Sequence, residues 1–155
     1  MTLAEQLTPE RVVADMQSDE HWPAIVELVE HLVAIGDLPE DQKSSALTAL
    51  KAREDQRSTG IGGGIAIPHC FLPGLENVVT VFGRSNKGVD FCALDRALVH
   101  FVVLFMVPAE QYTLHLKTLA AIAKTLNSAE TRKQLSAANE ESEIISILSE
   151  KASVA

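Results

Sequence analysis

Between Leu98 and Val107 the chain reads LVHFVVLFMV, a run in which only His100 is polar. A segment this short and this rich in β-branched and aromatic side chains reads as a strand covered on both faces, because a half-exposed strand alternates apolar with polar. Covering both faces requires a layer on each side, so the expected fold class is α/β: a small mixed β-sheet flanked by helices on both faces. Extended to Ala97–Ala109, the run still falls short of the roughly 18 residues of a membrane-crossing helix. No membrane insertion is expected.

The flanking sequence supplies the other layers. Val12–Gln17 is a short strand candidate, and Ser18 or Asp19 is placed to cap the helix that follows. Trp22, Ile25, Val26, Val29, Leu32 and Val33 recur at helical spacing, and Gly36 stands where that helix should end. Pro39 suits the first turn of a second helix running through Ala46, Leu47 and Leu50 to Arg53 and Glu54. Glu76–Arg84 alternates enough for another strand. After the central strand, Pro108 is expected to open a helix with Leu116, Leu119, Ile122, Ala123 and Leu126 on its buried face, followed by helices near 129–138 and 140–151. Asn139 is a plausible cap for the last, with Glu140, Glu141 and Glu143 favoured there by the helix dipole. No repeat or linker divides the chain, so one domain over residues 1–155 is expected.

Charge narrows the partners. Thirteen Lys and Arg against twenty-one Asp and Glu leave a net charge of −8, which disfavours nucleic acid and anionic membrane surfaces alike. The first residues lack a basic start followed by an apolar run, so no secretory signal is read and a cytoplasmic location is expected. Two cysteines, Cys70 and Cys92, cannot build a disulfide framework and are expected to be reduced thiols.

The chemistry is concentrated in Ser58–Cys70, STGIGGGIAIPHC, where glycines occupy positions 60, 62, 63 and 64. Glycines this dense imply unusual dihedrals or a close approach to another group, and the interleaved Ile61, Ile65 and Ile67 anchor the segment. A Walker A loop would place Lys and then Ser or Thr after the last glycine, where Ile65 and Ala66 stand, and the dinucleotide fingerprint fails at Ile65. What remains is His69, its backbone entry stiffened by Pro68 and by the restriction proline imposes on Ile67. A neutral imidazole is a good nitrogen nucleophile, and a usual pKa near ~6.5 keeps most of it neutral at cytoplasmic pH. His69 is thus a candidate phosphoryl acceptor. Arg53 is the leading cation to stabilise the added charge, and such transfer needs positioning and electrostatics rather than a metal or cofactor.

The segment AREDQRSTGIGGGIAIPH resembles the active-site signature of enzyme IIA domains of the phosphotransferase system (PTS), mannitol/fructose class, including the nitrogen-regulatory branch. The likeness continues in Gly88–Asp95 (GVDFCALD) and in Leu104–Leu119 (LFMVPAEQYTLHLKTL). It implies a phosphoryl carrier in which His69 is phosphorylated on a ring nitrogen by the phosphohistidine of HPr or its nitrogen-branch counterpart. His115 would lie beside it and help hold the phosphoryl group, Arg53 would supply positive charge, and Ser58, Thr59, Gly60 and Gly62 would form the phosphate loop. A IIB component or a regulated transporter or kinase would be the downstream partner. A regulatory role of the nitrogen type is expected, with fructose or mannitol uptake, or a noncatalytic binding module that keeps the fold, as the alternatives.

Three positions beside the histidine depart from the family pattern, which usually has Asn at Gly63, Gly at Arg57 and Gly at Cys70; His100 replaces a common acidic residue. These place the docking surface for a carrier in question. His21 and His31 are expected as partly exposed helix residues, and His100 as a strand histidine with a polar partner. A metal site from His69, Cys70, Cys92 and His115 lacks recognised spacing, and a Cys70–His69 dyad is disfavoured because adjacent side chains of extended backbone point to opposite faces.

Overall fold

The computed structural model of the chain describes residues 2–153. Strand β1 is Val12–Val13, helix α1 His21–Ala34 and helix α2 Lys43–Gln56; three short strands follow, β2 Gly60–Gly62, β3 Ile65–Ala66 and β4 His69–Leu72. Two long strands, β5 Val79–Val89 and β6 Val99–Pro108, precede helices α3 Tyr112–Leu126, α4 Ala129–Ala137 and α5 Glu141–Ser153. The six strands form one mixed sheet in the order β1-β5-β6-β3-β2, with β4 also on β6.

Strand β6 is the centre. It runs antiparallel to β5 on one side and parallel to β3 and then β4 on the other. Its Val102, Leu104 and Met106 face a core shared with Ile25, Leu28 and Leu32 of α1 and Leu50 of α2. The alternate residues Phe101, Val103, Phe105 and Val107 face a second core with Ile122 and Leu126 of α3, Leu135 of α4 and Leu148 of α5. The near-absence of polar residues in this strand thus follows from two covered faces.

Several local expectations need correction. The first strand is only two residues long, because the Ala14 carbonyl accepts a bond from Arg84 Nε at 2.9 Å in place of a ladder bond. Neither Ser18 nor Asp19 caps α1: its N-cap is Glu20, and the Glu27 carboxylate reaches back to the Gln17 and Ser18 N–H groups at 3.0 and 2.9 Å. Gly36 does end α1, with φ +84° and paired bonds from Gly36 N to Val33 O and from Asp37 N to Leu32 O, the Schellman arrangement. Pro39 precedes a single 3₁₀ turn, Glu40–Gln42, rather than α2 itself.

Pro108 closes β6, paired with Leu72, instead of opening α3. The face α3 buries is Thr118, Ile122, Thr125 and Leu126, whereas Leu116 and Ala123 are exposed. Burial of the threonines is tolerated because their hydroxyls bond the Leu114 and Ala121 carbonyls at 2.8 and 3.0 Å. Strand β5 continues past Arg84 through a register shift before Val89, which its polar Ser85–Lys87 stretch conceals. The glycine-rich segment is itself sheet: β2 and β3 form a hairpin turned by Gly63 and Gly64 at φ +67° and +80°, a conformation that side-chain-bearing residues rarely adopt.

Candidate active site

The break between β3 and β4 creates the site. Proline 68 has no N–H to add to the sheet, and its carbonyl accepts from Phe105 N at 3.0 Å before pairing resumes at His69 with Phe105. Strand β4 pairs with β6 and with no other strand among the described residues. His69 therefore stands on a sheet edge, between the last turn of α2 and the first half of α3.

Alternation along β4 sends His69 and Phe71 to one face and Cys70 and Leu72 to the other. Cys70 joins the core under α1 and α2, where burial pushes its thiol up to about 12. Its side chain turns to the face opposite His69, although Cys70 lines one opening together with His69. The His69 ring stacks on Phe105 at 5.1 Å, 11° from parallel, and the His115 ring of α3 lies 4.9 Å away. His69 Nδ1 is 2.8 Å from the Ile67 carbonyl. A carbonyl only accepts, so Nδ1 carries the proton and the lone pair of the neutral ring sits on Nε2.

Arg53, on the last turn of α2, donates through Nη1 to the Arg57 carbonyl at 2.9 Å. It lines a cavity of about 360 Å³ together with Arg57, Ser58, Thr59, Ile61, His69 and Leu94. A second opening is lined by Arg53, His69, Phe71 and His115. Burial lowers the pKa of His69, His115 and Arg53 lower it further, and the bond to Ile67 acts the other way. His115 is lowered by burial and by Arg53. Its Nε2 is buried without a hydrogen-bond partner among the described residues, a costly condition for a polar atom. The arrangement joins an unprotonated imidazole nitrogen, a cation and an unpaired polar nitrogen around one space.

The residues expected to form a phosphate loop are placed differently. Ser58 Oγ donates to the Phe91 carbonyl at 2.6 Å and accepts from Gly60 N at 3.1 Å. Thr59 is buried, with both its hydroxyl and its N–H bonded to the Glu54 carboxylate. Ser58 and Thr59 line the His69 cavity, whereas Gly62 faces a neighbouring one and lies beside Asp95. Arg57, an expected departure, lines the His69 cavity.

Two residues escaped the sequence reading. Glu54 is 7% exposed, and His21 Nε2 lies 2.7 Å from its Oε2. His21 also packs on Phe91 at 4.2 Å, so it is a clamp on the site rather than a free surface group. Bonds from His21 and Thr59 hold the Glu54 pKa low although burial opposes them. The spacing Ala46, Leu50, Glu54 puts Glu54 on the buried stripe of α2, and that charged residue on an apolar stripe was the available signal. His31 bonds the Glu10 carbonyl, and His100 has the expected polar partner, the Ser85 carbonyl at 2.8 Å.

No helix among the described residues is long and apolar enough to cross a membrane. Residues 5–151 match the family described as "Phosphoenolpyruvate-dependent sugar phosphotransferase system, EIIA 2". The chain is 36% identical over 150 residues to the PTS system fructose-specific EIIABC component of Bacillus subtilis, a match covering 97% of this chain and 23% of that protein. It is 36% identical over 136 residues to the nitrogen regulatory protein of Pseudomonas aeruginosa, covering 88% of this chain and 87% of the relative. Its structure is similar to the crystal structure of nitrogen regulatory protein IIA-Ntr from Neisseria meningitidis, with TM-score 0.84, 27% identity, and coverage of 94% of this chain and 98% of that one. The chain belongs to the EIIA type 2 family of the phosphoenolpyruvate-dependent sugar phosphotransferase system, and so to that system's phosphoryl-transfer components.

Proposed function

We propose that this protein is an enzyme IIA phosphoryl carrier of the nitrogen-regulatory type, loaded on Nε2 of His69 by the phosphohistidine of HPr or its nitrogen-branch counterpart. The observation that carries the reading is the fixed tautomer of His69, whose Nδ1–H is held by the Ile67 carbonyl while Nε2 is left as the nucleophile beside His115 and Arg53.

In the transfer, the Nε2 lone pair forms the new N–P bond as the donor's N–P bond breaks and its electron pair returns to the donor ring. A donor ring protonated on its other nitrogen leaves neutral, and the formal positive charge then resides on the His69 ring, whose Nδ1–H stays on Ile67. The oxygens of the phosphoryl group meet the Arg53 guanidinium and the unpaired His115 Nε2, charge-assisted partners that strengthen as negative charge gathers on the group. Burial keeps the His69 ring neutral and reactive near pH 7.

A sugar-uptake role, in which the same histidine passes its phosphoryl group to a IIB component, is the second reading, favoured by the similarity to the fructose-specific relative. Incubation with phosphoenolpyruvate, enzyme I and HPr, or with the nitrogen-branch equivalents, tests both. An acid-labile adduct lost in His69→Ala supports the carrier; absence of labelling by either set of donors contradicts it. Onward transfer to a IIB domain would favour uptake over regulation.

A further inference from the structure

A second cavity, of about 280 Å³, lies across Ile61 and Ile67 from the His69 site, since both residues line both spaces. Ile65, Ile122 and Leu126 complete its apolar walls, and Arg132 of α4 supplies a cation. Arg132 Nη1 donates to the Leu126 carbonyl at 2.7 Å. Its Nε and Nη2 have no hydrogen-bond partner among the described residues, and no carboxylate there lies within ion-pairing distance of it. The guanidinium is half-buried. Among the described residues Arg53 and Arg57, at the proposed phosphoryl site, likewise have no carboxylate partner, as do Arg84 and Arg96.

Gly63 opens the free edge. A Cβ at that position would stand 3.8 Å from Nη2 and 3.9 Å from Nε of Arg132, so any side chain there would lie against the two nitrogens that remain available. These two form the fork that receives both oxygens of a carboxylate.

We propose that this cavity binds a small aliphatic monocarboxylate, its two oxygens on Nε and Nη2 of Arg132 and its body against Ile65, Ile122 and Leu126. One cation matches one negative charge. A phosphate dianion would leave one charge without a cation, since Arg132 is, among the described residues, the one charged residue lining the cavity, and the nearest hairpin amide does not assist it, because Gly63 N already donates to Asp95 Oδ2 at 3.1 Å. The volume lies just below the roughly 300–1,000 Å³ of pockets for drug-sized ligands, which suits a metabolite-sized acid. A ligand here packs against Ile67, whose carbonyl holds the His69 tautomer.

The test is an amide and methyl NMR titration of the full, unphosphorylated chain with sodium isovalerate at constant ionic strength, alongside isoamyl alcohol and inorganic phosphate. Saturable shifts at Gly62–Ile67, Ile122 and Leu126 are expected. The neutral alcohol should bind roughly tenfold more weakly or less well still. Arg132→Met should lose the response, and so should Gly63→Asn, a residue that tolerates positive φ, with spectra otherwise folded. No saturable shift, equal binding by both variants, or saturation of the same resonances by phosphate at lower concentration overturns the proposal. No phosphoryl donor is present, so this failure would leave the phosphohistidine reading standing.

Discussion

The carbonyl oxygen of Ile67 and Nδ1 of His69 are 2.8 Å apart, a hydrogen bond that spans only Pro68. Proline restricts the residue before it to extended backbone, and the β3–β4 break leaves the Ile67 carbonyl facing the ring rather than a neighbouring strand. The stiff dipeptide therefore selects a tautomer, and the tautomer leaves the free lone pair on Nε2.

Loss of the second histidine should slow loading without unfolding the chain. His115→Ala removes an unpaired polar nitrogen but also the ring contacts with His69, Phe71 and Phe105, so a loss of stability on the order of 1 kcal/mol is expected, with the fold retained. The rate of phosphoryl transfer to His69 should fall on the order of 100-fold, the effect of deleting one preorganised contact to developing charge. Rapid-quench labelling by the phosphorylated carrier, with circular dichroism to check folding, measures both.

Acid should weaken the fold through the same histidines. The pKa of His69 and of His115 in the folded chain lies below the usual 6.5, with burial the largest cause in each. Between that lowered value and 6.5 the unfolded chain binds more protons, so stability falls as pH drops below about 6.5 and levels off once the folded pKa values are passed. Urea unfolding midpoints between about pH 5 and 8 should show this slope, and His69→Ala should flatten it. The acid limb of the loading rate should lie below 6.5 for the same reason.

Glu54 is expected to act as a positioning residue. Its carboxylate holds both the hydroxyl and the N–H of Thr59 and is itself held by His21. Glu54→Leu leaves these buried donors unsatisfied and should cost about 1–3 kcal/mol in denaturant unfolding. Because Thr59 lines the His69 cavity, loading should slow as well, and Glu54→Asp should restore less than the full rate because the shorter side chain cannot reach all three donors.

Arg84 ties the two ends of the second core together. It is 5% exposed, and its guanidinium donates to the carbonyls of Ala14, Leu135 and Ala138. Arg84→Met should destabilise the protein by about 3 kcal/mol, because buried carbonyls lose their partners, while loading at His69, on the far side of β6, keeps its wild-type rate. Thermal unfolding and the labelling assay separate the two effects.

The layered fold was legible in the central strand because its lack of polar residues reports two covered faces, and the constrained backbone at His69 was legible because proline and glycine mark it. Where backbone groups are satisfied by distant side chains, periodicity misleads. The Ala14 carbonyl is taken by Arg84, which cuts β1 short, and the Gln17 and Ser18 N–H groups ahead of α1 are taken by Glu27 from within the helix. Leu116 reads as core yet is exposed, because threonines that bond their own helix occupy the buried stripe of α3. The proximity of His115 to His69 could not come from spacing, since α3 is positioned against β4 by packing on β6 and the aromatic contacts of Phe71 and Phe105.

The central claim is tested most directly by NMR of the chain carrying isotope-labelled histidine, before and after loading by its phosphorylated carrier. Before loading, the His69 ring should be the neutral tautomer with its proton on Nδ1; after loading, phosphorus–nitrogen coupling should appear on Nε2 of His69 and on no other histidine. Coupling on Nδ1, on another histidine, or on none after incubation with every cognate carrier would contradict the account.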